Sequence, residues 1–143
     1  MIDYALEVIF VTRREFGAAP LALSAMQAEA QSKPAPRILA VSAHPADFCS
    51  RAGGTLIRHI HAGSKAKVIW LTHGESDESQ LLYKQRPGIS VEEVRRIREK
   101  EAFDAATIIG IEEKMFGWGD GPLRMTPERM EMLAREMRIS SPT

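Results

Sequence analysis

His44 and Asp47 stand three residues apart, just after the apolar run Ile38-Leu39-Ala40-Val41-Ser42 and across a turn stiffened by Pro45. Imidazole nitrogen and carboxylate oxygen are both good zinc donors, and a tight turn can aim the two at one point. The same spacing admits a plainer reading, in which Asp47 caps the next helix and His44 packs beside it. Two more polar clusters follow later in the chain: His73 to Glu78, and Asp120 within Gly117-Trp118-Gly119-Asp120-Gly121-Pro122.

The elements that would position these groups read as alternating strands and helices. Ile38–Ser42 is a continuous apolar run of strand length, as expected for a strand buried on both faces. A helix is expected from about Arg51 to Ala62, with Leu56, Ile57 and Ile60 inward and Gly63 as its stop. Lys67–Thr72 is the second strand, and a polar loop from His73 to Gly88 is long enough for a binding role. Ser90 and Glu93 form a capping box for a helix whose apolar repeat is Val91, Val94, Ile97, Ala102, Ala105, Ile108 and Ile109, ended by Gly110. Lys114–Phe116 is a short third strand, and Thr126-Pro127 opens a last helix running to about Arg138. Such alternation specifies an α/β fold with a parallel sheet flanked by helices. Ligands of these sheets sit at the carboxyl ends of the strands, where all three polar clusters fall.

Residues 1–36 differ from the rest. They are rich in Ala and Pro, with one short helix expected around 21–30, and read as an N-terminal extension plus linker before a domain at 37–143. Lys+Arg and Asp+Glu both number 19, which argues against a nucleic-acid partner. No apolar run approaches the roughly 18 residues of a membrane span. Asp3 and Glu7 interrupt the region where a secretory leader would be basic, and the one cysteine, Cys49, has no internal disulfide partner. A cytoplasmic protein acting on a small molecule is the expectation.

Ser42-Ala43-His44-Pro45-Ala46-Asp47-Phe48 with Arg51-Ala52-Gly53-Gly54 resembles the AHPDDE…GG signature of LmbE-like (PIG-L) proteins. Leu71-Thr72-His73-Gly74-Glu75, then Arg98-x-x-Glu101-Ala102 with Ile109-Gly110, then Gly119-Asp120 match that family's later motifs in order. The resemblance covers about residues 37–138 and implies a three-layer, Rossmann-like sheet, here the N-terminal part of the family domain. It also implies Zn2+ as cofactor, with His44 and Asp47 as its first two ligands. The family's third ligand is a histidine of the C-terminal half, beyond residue 143. His73 is a weaker candidate for that role, and His59 and His61 read as surface residues.

One departure is informative. The family's deacetylases carry at position 46 an aspartate that acts as general base, and Ala46 cannot accept a proton. Loss of such a base slows proton transfer by about 10²–10⁴-fold. The SAHxADFxxRAGG, GExxES and GDxPLR segments resemble instead the 4-oxalomesaconate hydratase branch, which hydrates a carbon–carbon double bond in aromatic-acid breakdown. There the base is a loop glutamate, and Glu78 or Glu75 stands in the matching loop. Arg51 and Arg124, ahead of Lys84 and Arg86, are the candidates to grip a polycarboxylate, with His73 and Asp120 also lining the substrate site. The resemblance therefore implies a zinc-dependent hydro-lyase. An N-deacetylase with a displaced base and a truncated, non-catalytic domain are the alternatives, and a shortened sheet with an open edge would favour self-association as a homo-oligomer. Cys49, Trp70 and Phe116 read as packing residues and Trp118 as a candidate pocket wall. Arg98 and Glu101 could buttress the site from behind.

Overall fold

The structure, a computed structural model, describes residues 35–143. The N-terminal extension, including the helix expected at 21–30, lies outside the described residues except for 35 and 36. Three strands, β1 (Arg37–Ser42), β2 (Lys65–Trp70) and β3 (Glu112–Met115), form a parallel sheet in the order β1-β2-β3. Between and after them come α1 (Pro45–Asp47), a π-helical turn (Phe48–Ala52), α2 (Gly53–His61), α3 (Gln80–Gln85), α4 (Val91–Ile109) and α5 (Pro127–Ser140).

The central strand explains the layering. Val68, Ile69 and Trp70 are all fully buried, so β2 is covered on both faces, as a parallel sheet requires. Val68 and Trp70 face one side, against Phe48, Leu56, Ala102, Ala106 and Ile111. Ile69 and Leu71 face the other, with Trp118 and the partly buried Leu39, Phe116, Leu123 and Leu133. Helices α2 and α4 thus cover one face and α5 the other. Phe48 meets Trp70 edge-on with ring centroids 5.5 Å apart, joining the segment after His44 to the sheet.

Several expectations needed correction. The helix expected from Arg51 starts at Pro45 instead, because an extended His44 (φ −128°, ψ 157°) followed by proline sets the first turn. Asp47 therefore lies inside the first turn and is not its cap. Ile57 is 39% exposed, leaving Leu56 and Ile60 to pack inward. The 73–88 stretch is not all loop: it holds a 3-10 turn at Asp77–Ser79 and helix α3. With Leu81 exposed, α3 has no apolar stripe to announce it. In α4 the buried row is Val94, Ala102 and Ala106, while Val91 and Ile108 face outward. β3 begins two residues earlier than expected, at the exposed Glu112 and Glu113, whose charges hide it. Cys49 is exposed, so it is not a packing residue. Trp118, at 8% exposure, belongs to the core.

The caps match the sequence. Ser90 accepts from the Glu93 amide and Gly110 closes α4 in the left-handed region at φ 77°. Thr126 accepts from the Arg129 amide to open α5.

Candidate metal centre

His44 owes its place to the end of β1. The ladder continues one step past the strands, with the Leu71 amide donating to Ser42 O and the Thr72 amide to Ala43 O. The Thr72 hydroxyl also donates to Ala43 O at 2.9 Å, and the Ser42 hydroxyl donates to His44 O at 2.6 Å. The backbone on both sides of the imidazole is thereby fixed, and the ring emerges at the carboxyl end of the sheet.

Three carboxylates surround that ring. Asp47 Oδ2 lies 3.3 Å from His44 Nδ1, and Glu78 Oε1 lies 3.5 Å from the same nitrogen. On the other side His44 Nε2 is 2.6 Å from Asp120 Oδ1, and Asp120 Oδ2 accepts from the Ser76 amide at 3.1 Å. The Asp120 side chain is only 5% exposed, so this bond is shielded from water. One group comes from each of the three loops: α1 supplies Asp47, the β2 loop Glu78 and the β3 loop Asp120.

The electrostatics follow from that crowd. Burial disfavours a charged imidazole, yet the Asp120 hydrogen bond, the charges of Asp120 and Glu78 and a hydrogen bond to Asp47 outweigh it and raise the His44 pKa above 6.5. The Asp47 carboxyl is held below its usual range by Arg51, whose Nε donates to Oδ1 at 2.8 Å, burial opposing and His44 assisting.

Nδ1 faces two anionic oxygens, an arrangement that repels unless a cation sits among them. A proton on Nδ1 satisfies it, and so does a divalent ion. One ligand atom each from His44, Asp47 and Glu78 lies within 4.8 Å of the others. Tetrahedral zinc with bonds of about 2.0–2.2 Å separates neighbouring donors by about 3.4 Å. The two distances from Nδ1 fit that spacing. Asp120 on Nε2 also fits, since metal-bound histidines commonly donate their second N–H to a carboxylate, which fixes the tautomer.

Not all the expected residues gather here. Glu75 turns away: Arg95 Nε and Nη2 donate to its Oε1 at 3.0 and 2.8 Å, and its side chain is 5% exposed. His73 lays its ring against Gly117, whose added Cβ would stand 2.7 Å from His73 Cε1. Arg51 is at the rim, 80% exposed and paired with Asp47. Arg124 is exposed, and its carbonyl accepts from Arg129. Asp120, expected at the substrate, has both oxygens engaged by His44 and Ser76. Arg95 was not singled out by the sequence. The signal was there in the 20-residue offset that relates Glu75 and Glu78 to Arg95 and Arg98.

Sheet, loops and donor set together define an α/β protein of the LmbE-like type. The PIG-L family, described as GlcNAc-PI de-N-acetylase, matches residues 39–143, and the chain belongs to that family. Over 105 residues it is 39% identical to 4-oxalomesaconate hydratase of Pseudomonas putida KT2440, covering 73% of this chain and 40% of that protein. It is 29% identical over 87 residues to mycothiol S-conjugate amidase of Streptomyces coelicolor, covering 61% of this chain and 30% of the amidase. The crystal structure of GalB, the 4-carboxy-2-hydroxymuconate hydratase of P. putida KT2440, superposes with a TM-score of 0.69 at 34% identity, over 73% of this chain and 43% of that one. N,N'-diacetylchitobiose deacetylase of Pyrococcus horikoshii shares the fold, with a TM-score of 0.66 at 20% identity over 96% of this chain and 49% of the deacetylase. The chain thus spans less than half the length of these relatives. No helix among the described residues is long and apolar enough to cross a membrane.

Proposed function

We propose that this chain is the metal-binding portion of a zinc-dependent hydro-lyase of the 4-oxalomesaconate hydratase type, which adds water across the double bond of an unsaturated polycarboxylate. The observation that carries it is the pairing of Ala46 with Glu78. The position just before Asp47 offers no proton acceptor, while Glu78 brings a carboxylate oxygen to 3.5 Å from His44 Nδ1 from a different loop. His44 and Asp47 would hold the zinc. When bound, that ion supplies a Lewis acid able to bring the pKa of water down to near 7.

The chain's own residues do the remaining work. Asp120 keeps the His44 proton on Nε2 and its Nδ1 lone pair forward. Glu78 Oε1 receives a proton from water as the oxygen adds to one carbon of the double bond, and returns it to the other carbon. The substrate carboxylates fall to arginines at the rim: Arg51 lies beside Asp47, with a guanidinium open enough to accept a second anion, and Arg124 on the β3 loop is the second candidate. Glu75 is the poorer base, because Arg95 already holds it. A small-molecule substrate and a cytoplasmic location accompany this reading, as does association into a homo-oligomer, since among the described residues β1 has a strand partner on one side only.

Full-length, zinc-loaded protein incubated with 4-oxalomesaconate tests the proposal. Loss of the diene absorbance, abolished in Glu78→Gln, is the expected result; an unchanged spectrum would remove the hydratase. The family's description as a de-N-acetylase favours a second reading, an N-deacetylase, for which release of acetate from an N-acetylglucosaminyl substrate would be the sign.

A further inference from the structure

Two arginines one turn apart on α4 hold two glutamates three apart in the β2 loop. The inner rung is Arg95 on Glu75, a two-donor contact to one oxygen with the glutamate 5% exposed. The outer rung is Arg98 on Glu78: Nη2 donates to Oε2 at 3.4 Å, while Nη1 donates to Glu101 at 2.9 Å. Arg98 occupies the same four-residue row as Val94, Ala102 and Ala106, all buried, so its stem is packed. A second feature closes on the same carboxylate. Gly74 sits at φ +68°, and a Cβ there would fall 2.7 Å from Glu78 Oε2. Glu78 Oε2 is therefore boxed between a guanidinium and a bare backbone, and Oε1 is the oxygen left to face His44 Nδ1.

We infer that Arg98 is a positioning residue that fixes which Glu78 oxygen faces the metal position, with the Arg95–Glu75 rung anchoring the loop behind it. This rests on the reading that His44 and Asp47 hold a divalent ion with Glu78 beside it. Arg98 is a cation near a cation site, so deleting its charge alone would tighten zinc binding. Freeing Glu78 to swing away would weaken it, because an anionic oxygen would leave the ion's neighbourhood. The two effects oppose each other, and positioning predicts the second wins.

The experiment is a zinc competition titration on the purified chain and its Arg98→Gln, Arg98→Lys, Glu78→Gln and double Arg98→Gln/Glu78→Gln variants. Arg98→Gln is expected to weaken zinc by about tenfold, the lower end for groups that orient metal ligands. Arg98→Lys should recover part of that loss. On the Glu78→Gln background Arg98→Gln should cost nothing further. Tighter binding in Arg98→Gln, or an equal loss on both backgrounds, would overturn the inference by showing a charge effect or a general loss of fold. If Glu78→Gln itself leaves zinc affinity unchanged, Glu78 does not stand beside the ion, and this is distinguishable from failure of the clamp alone.

Discussion

Replacing Asp120 by asparagine should disable His44 without altering the shape of the site. Asp120 accepts two bonds, from His44 Nε2 at 2.6 Å and from the Ser76 amide at 3.1 Å, in a spot 5% exposed. Asparagine has one acceptor and one donor end. If its oxygen faces Ser76, its amide meets Nε2, which must then shed its proton to Nδ1 and block the metal position. If its oxygen faces His44, two donors oppose each other at Ser76, at a cost of about 1–3 kcal/mol for the orphaned group. Zinc affinity should therefore fall by about 10–100-fold, equivalent to about 1.4–2.8 kcal/mol. Competition titration at mildly alkaline pH measures it.

The same variant predicts a pH effect in the metal-free protein. The His44 pKa stands above 6.5 although burial pulls it down, the Asp120 hydrogen bond being the largest opposing influence. A raised pKa means that protonated His44 stabilises the metal-free fold below about 6.5, and that this stability is lost as pH rises through the folded value. In Asp120→Asn the pKa should drop and the pH dependence flatten, as read by NMR titration of the imidazole. An unchanged pKa together with zinc affinity within twofold of the parent would refute the reasoning.

Three other perturbations have defined directions. Gly74→Ala must place a Cβ at φ +68° and push on Glu78 Oε2, so urea denaturation should show a loss of about 1–2 kcal/mol along with weaker zinc binding. Gly117→Ala meets the rigid ring of His73 at 2.7 Å and φ +65°, so it should cost at least as much stability, read as a lower Tm. Glu136, 13% exposed, is bonded by Lys114 at 2.7 Å and Lys67 at 3.2 Å and is held below 4.5, the Lys114 bond leading and burial opposing. Its contribution is present above pH 4.5 and lost as pH falls through the folded value. Glu136→Gln should therefore cost about 1–3 kcal/mol at neutral pH and flatten the acid limb of a stability–pH curve.

β2 was legible because an apolar run without polar interruption, Val68–Leu71, is what double-sided burial demands; the run Ile38–Ser42 marked β1 as a strand but overstated its burial, since Val41 there is 43% exposed. The capped helices were legible too, since Ser90 with Glu93 and Thr126 with Pro127 are local devices. The start of α1 was not, because Pro45–Ala52 shows no apolar period: only Pro45 and Phe48 in it are buried. Nor was the direction of each site residue. Asp120 meets His44 across 76 positions and Arg95 meets Glu75 across 20, contacts settled by how loops fold over strand ends and not by spacing. The sequence could place Glu75 and Glu78 in one loop; only packing against α4 separates the one held by Arg95 from the one that faces His44. Trp118 misled for a similar reason, since a loop residue can still close a core.

The site is built around one divalent ion held by His44 and Asp47, with Glu78 beside it. Crystals of the chain grown with zinc and measured on both sides of the zinc absorption edge test this directly. A single anomalous peak about 2.0–2.2 Å from His44 Nδ1 and from an Asp47 oxygen, absent in His44→Ala, is the expected result. No peak among these groups, or a peak of equal height in the variant, would contradict it.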